Sequence, residues 1–193
     1  MELIVLLGPK HSGKTSVGRA LAEKTGAAFY DLDGLIETQT GESPRTLYRE
    51  GPAFFREAEE RALKALLAAL GQDPSKAGNP RASPGGAVLA AGGGIIDNPG
   101  AMALLQEADS MVLVYLEVSA ETAWERIVRS AQEKGLPPFL QTEDPRKTHG
   151  ELHQRRGEAY KKQAHITIDA EGKTPRVIAG EIGRALPSKT TRR

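Results

Sequence analysis

The chain has 193 residues, with 26 Lys+Arg against 25 Asp+Glu for a formal net charge of +1, and it contains no cysteine. That length suits one domain with a sizeable core, and the balance of charge leaves no bulk field that would draw the chain to nucleic acid or to a membrane surface. Without cysteine, disulfides and thiolate metal sites are excluded. In chain order, the apolar run Leu3–Leu7 reads as a buried strand, followed by a glycine-bearing loop and a helix over Lys14–Thr25. Val17, Ala20, Leu21 and Thr25 recur there at helical spacing, and Gly26 is the expected C-cap. Further strands are expected at Ala27–Tyr30, Ala87–Ala90, Met111–Leu116 and Ile166–Ile168. Helices are expected at Gly34–Thr40, Pro52–Leu70 (closed by Gly71), Ala120–Glu133, Thr148–Gln163 and Pro175–Leu186, the last with proline at its start. Strands alternating with helices predict an α/β domain, a parallel sheet covered on both faces.

Two stretches interrupt this rhythm. Residues 71–86 are rich in Gly, Pro, Ser and Asn without periodicity, which predicts a surface loop. Residues 134–148, with Gly135, Pro137, Pro138 and Pro145 between two helices, have the length and composition of a lid. Residues 187–193 form a basic tail after a domain spanning 1–186. The chain enters a strand at once and has no long apolar segment, so a cytoplasmic protein is expected; the expectation for partners is a monomer without nucleic-acid or membrane binding.

Gly8-Pro9-Lys10-His11-Ser12-Gly13-Lys14-Thr15 matches the phosphate-binding P-loop pattern G-x-x-x-x-G-K-[ST], in the strand-then-helix context that it needs. Gly8 and Gly13 permit backbone angles and approaches that a Cβ would obstruct. The loop amides and the following helix N-terminus then face a polyphosphate. Lys14 adds a point charge at the β/γ-phosphates and Thr15 offers a hydroxyl to Mg²⁺, with Ser16 next in the ATP-binding set.

Other groups fall where strands end, which is where parallel sheets bind ligands. Asp31 and Asp33, in Tyr30-Asp31-Leu32-Asp33, can serve a water-held Mg²⁺ and a substrate hydroxyl; alternatively Asp33 caps the helix after it. Arg56, three residues before Glu59 on one helix, is either half of a solvated i,i+3 pair or an anion grip oriented by Glu59. Gly92, Gly93 and Gly94 after a strand suit a ligand pressed against backbone, and Arg156 lies on the helix after the lid.

In this order the pieces resemble the shikimate kinases, P-loop kinases of the nucleoside-monophosphate-kinase-like type, over nearly the whole chain. The resemblance implies a three-layer P-loop kinase fold with a five-stranded parallel sheet and a lid. It also implies ATP-dependent phosphorylation of shikimate to shikimate 3-phosphate, in aromatic amino-acid biosynthesis, with Mg²⁺. Carried onto matching positions, it makes Lys14 and Asp33 catalytic and gives Thr15 and Asp31 to the metal. Gly8, Gly13, Lys14, Thr15, Ser16 and Pro175 go to the nucleotide, with Pro175 where the adenine-contacting loop ends. Asp33, Arg56, Gly92, Gly93, Gly94 and Arg156 go to the small-molecule acceptor, with Tyr160 following that arginine as in the family. The family's substrate-binding helices correspond to about 33–70.

Three departures stand out. The lid of this family normally carries an arginine before Pro-Leu, whereas here Leu136-Pro137-Pro138-Phe139-Leu140 puts Pro137 in that place. Arg129, Lys134, Arg146 and Lys147 flank the gap as replacement cations. Pro52 stands where the family usually has glutamate, and 71–86 is an insertion. A kinase for another hydroxy-acid such as gluconate, or a nucleotide-binding homologue without catalysis, remain the alternatives.

Overall fold

The computed structural model describes residues 3–72, 86–108 and 110–186, apart from the side chain of Lys134. Residues 73–85 of the expected surface loop and the expected tail 187–193 lie outside the described residues. Five strands, β1 (Leu3–Leu7), β2 (Ala28–Asp31), β3 (Ala87–Ala90), β4 (Met111–Glu117) and β5 (Ile166–Asp169), form one parallel sheet in the order β2-β3-β1-β4-β5. The described helices are α1 (Lys14–Thr25), α2 (Leu32–Thr40), α3 (Pro44–Glu50), α4 (Pro52–Gln72), α5 (Pro99–Glu107), α6 (Ala120–Lys134), α7 (Pro145–Gln163) and α8 (Pro175–Ala185).

Residue parity in β1 decides the layers, because successive side chains of a strand point to opposite faces. Leu3, Val5 and Leu7 join Leu32, Ile36, Leu63, Leu66, Leu105 and Tyr160 on one face. Ile4 and Leu6 join Val17, Leu21, Ala123, Ile178 and Ile182 on the other. Every β1 side chain is buried, as a central parallel strand requires. Shortening a fully buried residue such as Leu21 or Leu63 to alanine costs about 2–5 kcal/mol. Among the described residues no helix is long and apolar enough to cross a membrane.

Register sets up the site. Leu6 pairs with Ala90, and Ala90 pairs with Asp31, so the ends of β1, β3 and β2 lie side by side. The loop after β1, the triple glycine after β3, Asp31 at the end of β2 and Asp33 just beyond it therefore share one edge. The order also turns at β1, where chain connections leave to opposite sides and open a crevice.

Several boundaries differ from expectation. β2 starts and ends one residue later than expected, at Asp31, and α2 begins at Leu32, so Asp33 stands inside the first turn of α2 rather than capping it. α4 runs through Gly71 to Gln72. α7 begins at Pro145, not Thr148, because Asp144 accepts from the Lys147 amide and Pro145 fills the first turn, a strong start signal. α6 extends to Lys134, so the lid contracts to 135–144, with one 3₁₀ turn over Pro138–Leu140. α3 and α5 are additional; each opens with a Ser or Asn cap and a proline.

Candidate active site

The loop after β1 is tightly folded around its own donors. Gly8 has φ +145°, and a Cβ there would lie 2.8 Å from the Leu116 carbonyl oxygen and 2.9 Å from Ser12 Oγ. Lys14, only 8 % exposed, donates to the carbonyls of Gly8 at 2.9 Å and Pro9 at 2.8 Å. An ammonium has three donors, so one remains for an incoming anion. Burial pushes the Lys14 ammonium down to about 8; Asp33 and Asp31 pull it up and Lys10 and Arg156 oppose them. Ser12 Oγ is buried without a hydrogen-bond partner, an orphan that a phosphate oxygen would satisfy.

At the end of β2, two strands from β1, Asp31 Oδ2 accepts from Thr15 Oγ1 at 2.7 Å. The two residues assigned to the metal are thus in contact, and hydroxyl plus carboxylate are the hard oxygen ligands that Mg²⁺ takes alongside water and phosphate. Among the described residues no cluster of three or more His, Cys, Asp or Glu could hold a metal by itself. Such a sparse pair fits Mg²⁺, which seldom uses an all-protein cage. Ser16 and Pro175 line a separate cleft of about 520 Å³ between α1 and α8, with Arg19, Thr174 and Arg176.

Across the edge, the triple glycine meets four elements. A Cβ on Gly93 would come within 2.8 Å of the Lys10 amide nitrogen, so only glycine lets this strand end touch the loop. A Cβ on Gly92 would lie 2.7 Å from Glu59 Oε1 and 3.5 Å from Asp33 Oδ1, and one on Gly94 3.4 Å from Arg156 Nη2. Asp33 has its carboxyl raised chiefly by burial, then by Asp31, against lowering by Lys10 and Lys14.

Arg56 and Arg156 line one cleft of about 560 Å³, with Tyr48, Phe55, Phe139 and Asp97 among its walls. Arg156 is fixed by Asp97, by the Gly93 carbonyl at 3.2 Å and by the face of Phe139, 5.5 Å from its guanidinium carbon. Arg155 also pairs with Asp97, at 2.7 Å. Burial would raise the Asp97 carboxyl, but Arg155 and Arg156 outweigh it and hold it below the usual range. Tyr160, stacked on Tyr115, donates to the same Gly93 carbonyl at 3.1 Å.

Glu59 corrects the surface-pair reading. It is 1 % exposed and accepts from Asn98 Nδ2 at 3.0 Å, while the same Nδ2 donates to the Arg56 carbonyl at 2.9 Å. Burial pushes the Glu59 carboxyl up to about 7, against lowering by Asn98 and the two arginines. Asn98 also caps α5 through Ala101 N, so a single amide ties α4 to α5 beneath the cleft.

Of the flanking cations, Arg146 pairs with Glu121 on the surface at 2.7 Å, and Arg129 and Lys147 are exposed. The Lys134 side chain lies outside the described residues. Pro137 is buried and shapes the lid. Arg126, which the sequence reading passed over, donates to the His11 carbonyl at 3.0 Å and so lays its guanidinium against the phosphate loop. His11 itself has φ +62°, strained for a residue with a side chain. Arg126 directly precedes Ile127, which is buried with Ala123 on the inward face of α6, and i,i+1 spacing gives no sequence signal for the contact that Arg126 makes.

Comparison with known proteins agrees with this arrangement. The family model described as shikimate kinase matches residues 10–73 and 76–187. The shikimate kinase of Moorella thermoacetica is 38% identical over 184 residues, covering 95% of this chain and 93% of that one. The shikimate kinase of Marinomonas sp. is 33% identical over 184 residues, 95% of this chain and 91% of that one. The structure of a shikimate kinase from Acinetobacter baumannii in complex with shikimate superposes with a TM-score of 0.78 at 32% identity, covering 96% and 92% of the two chains. With loop, aspartates, glycines and arginines converging as the motifs required, this chain belongs to the shikimate kinase family.

Proposed function

We propose that this chain transfers the γ-phosphoryl group of ATP to a ring hydroxyl of shikimate, releasing ADP and shikimate 3-phosphate. The observation that carries this reading is the triple glycine, where the phosphate loop, Asp33, Glu59 and Arg156 all come within contact of one three-residue segment. A nucleotide phosphate on the loop and an acceptor hydroxyl near Asp33 would then face each other across Gly92 and Gly93.

Phosphoryl transfer asks a protein for positioning and charge neutralisation more than for covalent chemistry. Lys14, Ser12 and the loop amides would hold the phosphates, and Arg126 would add positive charge from α6. Ser16 and Pro175, facing one cleft, would border the nucleoside end. Thr15 and Asp31 would hold Mg²⁺, which supplies charge neutralisation at the phosphates when bound. Arg56 and Arg156 would grip the acceptor carboxylate, leaving Asp33 to accept the hydrogen bond of the attacking hydroxyl. The burial that raises the Asp33 carboxyl also makes it a better proton acceptor. As the new oxygen–phosphorus bond forms, the β–γ bridging bond breaks and the hydroxyl proton passes to Asp33. A cytoplasmic monomer is part of the same proposal. A coupled ADP-release assay across shikimate, gluconate, quinate and nucleoside monophosphates tests it: turnover restricted to shikimate supports the reading, and turnover with gluconate alone overturns it.

A further inference from the structure

The lid segment 135–144 reads Gly-Leu-Pro-Pro-Phe-Leu-Gln-Thr-Glu-Asp and contains neither lysine nor arginine. It has no cation with which to grasp a phosphate, and its own charges, Glu143 and Asp144, are acidic. Its closing contacts are elsewhere. Arg45 on α3 donates from Nη1 to the Gly135 carbonyl at 3.1 Å and from Nη2 to the Leu136 carbonyl. One helical turn later on the same face, Tyr48 meets Phe139 edge-on with centroids 6.2 Å apart. Leu140 is fully buried, and Phe139 lies under the Arg156 guanidinium while lining the acceptor cleft. Gly135, at φ +68° where α6 ends, is the point from which this segment departs.

We propose that Arg45 is the latch that positions the lid, and that closure answers to the acceptor side of the cleft rather than to the nucleotide. A planar guanidinium suits this task, since its fork reaches two successive carbonyls at once, which an ammonium on a flexible stem does less well. Phe139 and Tyr48 then form a movable wall against Arg156. An acceptor held by Arg156 packs against Phe139 in the same cleft, and the latch holds the wall down. Arg45 touches no reacting atom and is a positioning residue. The inference rests on the proposed acceptor cleft, but the latch can be tested without any ligand.

Chymotrypsin cleavage after Phe139, followed by mass spectrometry on the full chain, reads lid opening directly. Without ligand, Arg45→Ala should be cleaved about ten-fold faster than the wild type, as expected for loss of charge-assisted hydrogen bonds at a half-exposed site. Arg45→Lys should fall between them, and thermal melts of all three should coincide. Shikimate alone should slow wild-type cleavage, whereas Mg²⁺ with a non-hydrolysable ATP analogue alone should not. In turnover, Arg45→Ala should raise the KM for shikimate and the share of ATP hydrolysed without transfer, with the KM for ATP unchanged. Equal ligand-free cleavage of Arg45→Ala and wild type overturns the latch, and protection by the nucleotide analogue alone overturns acceptor control. If wild type releases no ADP with shikimate, the proposed acceptor fails and the ligand-free comparison decides the latch by itself.

Discussion

Asp97 Oδ2 receives Arg156 Nη2 at 2.8 Å and Nε at 2.9 Å, while Nη1 donates to the Gly93 carbonyl at 3.2 Å, so this guanidinium is held in place in the wall of the cleft. Asp97 is therefore a support for the arginine as well as a wall of the cleft. Arg156→Ala should weaken acceptor binding by about 10- to 150-fold, the range for a lost charge-assisted hydrogen bond. Asp97→Ala should raise the acceptor KM by about ten-fold through a wandering guanidinium. Arg56→Ala should act in the same direction at the lower end, since Arg56 is exposed. Separate titrations of nucleotide and acceptor check this; loss of ATP affinity with acceptor affinity intact would remove the carboxylate grip.

Lys14→Ala should lower kcat by at least about a hundred-fold with the fold intact, as expected for losing a preorganised donor to developing charge. Because the Lys14 ammonium lies near 8 without ligand, kcat/KM for ATP should decline above about pH 8. The kcat profile should bend at higher pH, because a bound polyphosphate favours the protonated amine. Rate profiles measured with a buffer series between pH 6 and 10 check both limbs.

Glu59 makes stability depend on pH. Its carboxyl moves from 4.5 to about 7 on folding, so between those values the folded chain keeps a proton that the unfolded chain has lost. The stability this contributes is fully present below about pH 4.5 and is lost as pH rises through 7. Glu59→Gln removes the titration and keeps a polar group for Asn98. Relative to wild type, the variant should gain about 2 kcal/mol between pH 5 and pH 8, read by urea unfolding at each pH. A parallel pair of profiles would show that the carboxyl is not shifted.

Arg126→Ala should cost at least about a hundred-fold in kcat, if its guanidinium stabilises charge beside the loop as placed. Arg129→Ala, Arg146→Ala and Lys147→Ala should stay within a factor of about two, in keeping with exposed charges. Single-turnover rates at saturating ATP and shikimate separate the four variants. A reversed order would return the phosphate-facing role to the lid flanks.

The sheet and the motif positions were legible because they are local in sequence: apolar runs bounded by glycine, a P-loop between strand and helix, and aspartates at a strand end. Helix starts were less so. Thr148 has the polar profile of a first turn, yet Asp144 and Pro145 win because a capped, φ-restricted start costs little to form. Short helices such as α3 leave few periods to count, although Ser43-Pro44 and Asn98-Pro99 carried the same start signal. The aspartates, glycines and late arginine could be recognised one by one. The tertiary pairings could not, since Glu59–Asn98, Arg156–Asp97, Arg126–His11 and Arg45–Leu136 each join residues at least 39 positions apart. The sequence left Glu59 open between a solvated partner of Arg56 and a residue that orients it, because i,i+3 spacing reports neighbours on a helix and says nothing about which face is covered.

The most direct measurement is steady-state ADP release by the purified chain with Mg²⁺ and ATP, with and without shikimate, followed by identification of the phosphorylated product. The expected result is release that requires shikimate, saturates with it and yields one equivalent of shikimate 3-phosphate per ADP. ADP release that is the same with and without shikimate, or that appears only with gluconate or a nucleoside monophosphate, would contradict the assignment.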